Sequence, residues 1–158
     1  MCQSYARNCD YYFMGSATYE MMHQYWPTML DNPEASEHES RHAVWIQEVE
    51  KLVCSNRLSE VTWKNASLLQ GDCLEEIRRV KEAEGGDIVV LGSPRLAQTL
   101  LKAGLVNRLR LTISPVVVGG GFALFDQVTS NLELLEAETI STGALGWTYR
   151  VLPSESVH

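Results

Sequence analysis

The chain has 158 residues, 45% of them hydrophobic and 21% charged, the size and balance of one soluble domain. Its net charge of −7 argues against a nucleic-acid partner, which needs a cationic face, but leaves room for a small anion held by local donors. No apolar stretch approaches the roughly 20 residues of a membrane span, and MCQSYARNCDYYF lacks the basic start and apolar core of a signal peptide, so a cytoplasmic protein without membrane contact is expected.

Tyr11-Tyr12-Phe13-Met14-Gly15 is a short apolar run ending in glycine and predicts a buried strand. Ser16 then stands where a helix N-cap would, and Thr18 to Tyr25 reads as helix. Pro27 to Glu37, with two prolines and turn-forming residues, predicts a surface loop. A second helix is expected over Glu37 to Val49, with Ala43, Ile46 and Val49 along one face. Lys51 to Cys54 and Asn65 to Gln70 give two further strands. Asp72 is the expected N-cap of a helix through Ala83. Asp87 to Gly92 is the clearest strand, and Pro94 suits the first turn of the helix after it. Leu96, Leu100 and Leu101 mark that helix's inner face, and Gly104 ends it. Leu109 to Val118 predicts a long strand closed by Gly119-Gly120-Gly121. Leu132 to Ile140 and Leu145 to Leu152 predict a terminal hairpin turning at Ser141-Thr142-Gly143.

Strands separated by helices imply parallel pairing, and the hairpin adds an antiparallel edge, so the expected fold is α/β with a mixed, mostly parallel sheet. Ligands on such sheets sit at the carboxyl ends of the strands. Three turns fall there: Gly15-Ser16-Ala17-Thr18, Ser55-Asn56-Arg57 and Gly92-Ser93-Pro94-Arg95. A glycine at a strand end before a helix lets a phosphate reach backbone N–H groups, and the helix dipole favours the anion. Each glycine also suits a plain tight turn, and neither a P-loop lysine motif nor a complete G-x-G-x-x-G is present. Gly119-Gly120-Gly121 is either a flexible turn or a ligand-facing loop.

His38 and His42 stand four apart on a helix, close enough to share a metal, but Glu37, Glu39, Ser40 and Arg41 around them point to a solvated face, and no metal site is expected. Cys2, Cys9, Cys54 and Cys73 have no CxxC spacing and read as reduced packing thiols. Tyr19, Met22, Tyr25 and Trp26 form an apolar stripe, mostly core, one edge of which suits a pocket wall beside the first turn. Trp45, Trp63 and Trp147 are assigned to packing. No nucleophile with an adjacent base stands out and no catalytic residue is assigned, which favours cofactor-borne chemistry such as hydride transfer.

Taken in order, Met14 to Met22 with Tyr25-Trp26-Pro27, Lys51 to Ser55, Gly86 to Ser93, Leu101 to Val106, and Pro115 to Gly121 with Leu124-Phe125 resemble the dihydrofolate-reductase-like family related to the reductase domain of bacterial riboflavin-synthesis deaminase-reductases. The resemblance covers nearly the whole chain as a single domain. It implies a three-layer α/β sandwich, usually dimeric, that binds NADPH and reduces a pterin-like or ribosylaminopyrimidine heterocycle. By position it implies that Gly15, Ser16, Ala17 and Thr18 lie against the cofactor phosphates, that Ser55, Asn56 and Arg57 approach the adenosine 2′-phosphate, and that Gly92, Ser93, Pro94, Arg95 and Leu96 cover the pyrophosphate. Gly119 and Gly120 complete the cofactor set, and Met22, Tyr25 and Trp26 border the substrate.

The family commonly has arginine where this chain has Ser16 and Asn56, with Arg57 one position on as a substitute; such a guanidinium contact is worth about 1.5–3 kcal/mol. The family also opens with a central strand, whereas Met1-Cys2-Gln3-Ser4-Tyr5-Ala6-Arg7 matches the helix after it, so that first strand is expected to be missing. Its neighbours then pair directly, another chain supplies the strand, or the sequence is shortened. Two functions follow: an NADPH-dependent reductase, or a non-catalytic binding or assembly protein that kept the scaffold.

Overall fold

Tyr12, Phe13 and Met14 are completely buried in the computed structural model, which describes residues 8–83, 85–140 and 143–153. They form the middle of β1 (Cys9–Gly15), which has a parallel neighbour on each side. An unbroken apolar run is what a strand covered on both faces requires. Contacts divide the chain into two units, Met1–Ala97 and Gln98–His158.

The first unit holds β1, α1 (Ser16–Met29), α2 (Glu37–Glu48), β2 (Glu50–Cys54), β3 (Ala66–Leu69), α3 (Cys73–Glu82) and β4 (Asp87–Val90). Its sheet is wholly parallel, in the order β3-β2-β1-β4. The chain therefore winds outward to one side of β1 and then crosses to the other. Such a reversal leaves a crevice outside the carboxyl ends of the two strands that flank it, here β1 and β4. Tyr12, Met14, Tyr19, Ile46, Val49, Val53 and Trp63 form the buried cluster of this unit, each large apolar group contributing about 1.5–3 kcal/mol on burial.

The helices begin differently. A capping box starts α2: Ser36 Oγ accepts the Glu39 N–H at 3.2 Å and the Glu39 carboxylate accepts the Ser36 N–H at 2.8 Å. Asp72 caps α3, accepting the N–H groups of Leu74 and Glu75. Gly15, not the expected Ser16, is the N-cap residue of α1, and no side chain caps that helix. Ser16 has no capping role because the strand runs straight into the helix at Gly15.

At its other end α1 continues through Pro27 to Met29, so the expected loop from Pro27 shrinks to residues 30–36. Proline removes one helical hydrogen bond. The cost falls only in the last turn, where the Thr28 hydroxyl donates to the Tyr25 carbonyl at 2.7 Å. The C-terminus of α2 is satisfied by a buried cation. Lys51 Nζ donates to the carbonyls of Ile46 and Val49, at 2.8 Å each, and lies 4.9 Å from the Trp63 ring.

The histidine pair does not share a solvated face. His42 is 7% exposed, its ring 4.2 Å from Trp26 and 5.2 Å from Trp45. The helical period carries it inward with Ala43 and Ile46, whatever the charge of its sequence neighbours.

The second unit holds β5 (Arg108–Ile113), β6 (Leu132–Thr139) and β7 (Leu145–Val151), antiparallel in the order β5-β7-β6. The strand expected to reach Val118 stops at Ile113. Pro115, two residues on, has no N–H for a ladder, and Val117 is 96% exposed. Gln98 holds part of the irregular stretch beyond, its amide donating to the carbonyls of Ala123 at 2.7 Å and Leu124 at 3.1 Å. β6 and β7 pair as the predicted hairpin does, although Ser141 and Thr142 of its turn lie outside the described residues. So do Met1 to Arg7, on which the missing-strand expectation rests, and Cys2; Cys9, Cys54 and Cys73 are free thiols.

α4 (Pro94–Lys102) starts at the expected proline and ends before Gly104, whose φ of +67° closes the last turn.

Candidate functional site

The three turns at the strand ends lie side by side. Gly15 is paired in register with Cys54, so the Gly15 and Ser55 turns start on adjacent strands. Phe13 is paired with Val90, so Gly15 and Gly92 both fall two residues beyond one paired position. Ser93 joins two of the turns. Its hydroxyl accepts the Gly15 N–H at 3.1 Å and donates to Thr18 Oγ1 at 2.7 Å, with both Ser93 and Thr18 buried.

Gly92 and Ser93 have φ of +63° and +48°. Two successive left-handed residues bend the chain sharply at the end of β4, and a non-glycine residue adopts such a conformation at a cost. A Cβ on Gly15 would meet nothing within 4 Å, and one on Gly92 would meet only Thr18 Cγ2 at 4.0 Å. Both glycines therefore face open space instead of a packed neighbour.

The helix termini differ in charge as well as in capping. α2 carries Glu37 and Glu39 in its first turn and α3 carries Glu75 and Glu76. α1 and α4 carry no acidic residue there. Acidic side chains near a helix N-terminus neutralise its positive end, so the two helices that leave this end unneutralised are the two that start at the β1–β4 crevice.

The middle turn is built otherwise. Ser55 Oγ accepts the N–H groups of Arg57 at 3.0 Å and Leu58 at 3.1 Å, folding the turn on itself. Asn56 Oδ1 accepts the Gly71 N–H at 2.8 Å. Arg57 extends to Glu20, in the second turn of α1, with 2.7 Å between guanidinium and carboxylate; this contact raises the arginine's pKa further. Glu20 is assigned no role from the sequence, although its place four residues after Ser16, on one helix face, is a signal that could have found it.

The remaining expected residues fall at several places in the fold. Ser16 and Ala17 open α1, and Pro94, Arg95 and Leu96 form the first turn of α4. Met22 and Trp26 pack against the core, with the Trp26 indole N–H directed at Met22 Sδ at 2.9 Å. Tyr25 is 44% exposed and donates to Glu39 at 3.4 Å, toward α2. Gly119 and Gly120 belong to the second unit and are exposed. Among the described residues, no three His, Cys, Asp or Glu side chains are grouped to hold a metal ion. No helix there is long and apolar enough to cross a membrane.

This parallel sheet with open helix starts at its crevice has known relatives. The sequence model of the RibD C-terminal domain family matches residues 1–145. The chain belongs to the RibD C-terminal domain family. A Bacillus subtilis relative, the uncharacterized protein YyaP, is 30% identical over 144 residues, covering 89% of this chain and 73% of YyaP. Among solved structures, the fold is similar to a putative riboflavin biosynthesis protein of a Shewanella species, with a TM-score of 0.71 and 19% identity over 95% of this chain and 78% of that one. It is also similar to a diaminohydroxyphosphoribosylaminopyrimidine deaminase/5-amino-6-(5-phosphoribosylamino)uracil reductase of Thermotoga maritima. There the TM-score is 0.62 and the identity 13%, over 96% of this chain and 47% of that one. The mixed α/β architecture and the RibD-reductase kinship expected from the sequence are thus both found.

Proposed function

We propose that this RibD C-terminal domain protein is an NADPH-dependent reductase of a small heterocycle, pterin-like or a ribosylaminopyrimidine, in riboflavin-type biosynthesis. The observation that carries the reading is the pair of helix N-termini, α1 and α4, without acidic residues at the crevice where the strand order reverses. Open backbone donors and unopposed dipoles suit the pyrophosphate of a dinucleotide. Gly15 to Thr18 and Gly92 to Leu96 would hold it, with Ser93 and Thr18 fixing the turns to one another. The open space over Gly15 and Gly92 is what a close-lying phosphate needs. Bound NADPH would supply the hydride; the protein's part is to bind, orient and shield.

The family match and the reductase half of the Thermotoga protein's name support a reduction over the non-catalytic scaffold alternative. Titration of NADPH fluorescence with the purified protein tests the reading. Saturable binding is expected, weakened about tenfold or more in Gly92→Ala, whose methyl group enters the space above the turn. The same substitution costs about 1–2 kcal/mol of stability through its left-handed φ, which a urea titration reads separately. No saturable binding at millimolar cofactor rejects the proposal.

A homodimer is proposed with it, since Val116, Val117, Val118 and Phe122 present exposed apolar groups that association would cover. Light scattering after size exclusion measures it.

A further inference from the structure

We propose that Glu20 sets how strongly this site prefers NADPH over NADH, by holding the Arg57 guanidinium that a 2′-phosphate must claim. The inference rests on the dinucleotide reading above and specifies its cofactor discrimination.

In a β-α-β dinucleotide site the first strand-to-helix turn takes the pyrophosphate, and the end of the next strand over meets the adenine ribose. An acidic residue there accepts a hydrogen bond from the 2′-hydroxyl of NADH, whereas an arginine receives the 2′-phosphate of NADPH. In this sheet the next strand is β2, and the turn after it ends in Arg57. The chain brings one residue of each kind to that place and joins them at 2.7 Å.

The rest of the turn is committed to its own shape. Ser55 Oγ accepts two amide protons and Asn56 Oδ1 accepts a third, from Gly71. Recognition of charge within the turn therefore falls to Arg57. Its side chain is 60% exposed and that of Glu20 is 43% exposed, so water screens the pair and it opens at little cost.

Glu20 acts on the two cofactors in opposite directions. Toward NADPH it occupies the arginine and repels the incoming phosphate dianion. Toward NADH it offers the 2′-hydroxyl an acceptor. Wild-type discrimination is accordingly modest, and the carboxylate, not the arginine alone, sets it.

The test is a fluorescence titration of NADPH and NADH against wild type, Glu20→Gln, Arg57→Met and the double variant, with a urea midpoint for each as a check of folding. In Glu20→Gln, NADPH is expected to tighten about fivefold, the worth of one exposed ion pair plus relief of repulsion, while NADH stays level or weakens. In Arg57→Met, NADPH weakens about tenfold with NADH little changed. In the double variant the gain from Glu20→Gln shrinks to the part that relief of direct repulsion supplies. Equal shifts for both cofactors, or a gain undiminished without Arg57, overturn this inference alone. A wild type that binds neither dinucleotide overturns the proposed function, and the inference with it.

Discussion

Ser93 donates its hydroxyl proton to Thr18 Oγ1 at 2.7 Å, and both side chains are buried. Because the same oxygen accepts the Gly15 N–H, one atom ties the turn after β4 to the start of α1. Ser93→Ala removes both bonds at once. The expected loss is about 1–3 kcal/mol of unfolding free energy, the cost of leaving such groups without their partners, together with weaker NADPH binding. Urea titration and cofactor titration measure the two effects. An unchanged urea midpoint would mean that the tie contributes nothing to the fold.

Tyr19 makes a similar tie within the core. Its hydroxyl oxygen accepts the N–H groups of Thr62 at 2.9 Å and Trp63 at 3.2 Å. Tyr19→Phe keeps the ring and deprives two amides of their acceptor, so a loss of about 1–3 kcal/mol is expected with no change in the denaturant slope. Tryptophan fluorescence across a urea series reads it.

His42 predicts a pH dependence. Burial, reinforced by His38, pushes its pKa down from 6.5 to about 4. Between those values the unfolded chain binds a proton that the folded chain refuses. Stability therefore falls as pH is lowered through this window, by at most about 1.4 kcal/mol per pH unit from this group. Above pH 6.5 the contribution is level. Comparing urea midpoints at the two ends of the window for wild type and His42→Leu tests it: the variant is expected to lose less on acidification.

Gln98 predicts a local effect. Its amide N–H groups anchor the carbonyls of Ala123 and Leu124. Gln98→Leu retains most of the volume but neither donor. Chymotryptic cleavage at the exposed Phe122 and Phe125 is expected to quicken, with a smaller change in the global urea midpoint. Mass spectrometry of the fragments locates the cut.

The parts of the fold that could be read from sequence are those decided locally. Tyr12-Phe13-Met14 and Ile88-Val89-Val90 are apolar runs bounded by turn residues, and Asp72 is an N-cap with its helix directly behind it. The errors have separate causes. Pro27 remains helical because it falls in the last turn of α1, where its missing N–H costs one bond and no further turn depends on it. His42 is buried because Trp26, sixteen residues earlier, packs on it. The long strand expected from Leu109 ends at Ile113, since alternation cannot tell a strand from an apolar loop once Pro115 has removed a donor.

The candidate site divides along the same line. Gly15, Ser55 and Gly92 were identifiable as strand-end turns, each from its own few residues. The bond from Gly15 to Ser93 spans 78 positions and the Arg57–Glu20 pair spans 37. Only the parallel order of β2, β1 and β4 brings these partners together.

The capping box of α2 has a practical consequence. Ser36 and Glu39 satisfy one another, so the helix start is specified within four residues and owes nothing to the connection that leads into it. Most of residues 30–35 are exposed to solvent. Lengthening a connection costs only about 0.6 kcal/mol per doubling. A reporter peptide or biotin acceptor spliced between Pro33 and Glu34 would give a handle for immobilising the protein on a sensor surface, remote in sequence from all three strand-end turns.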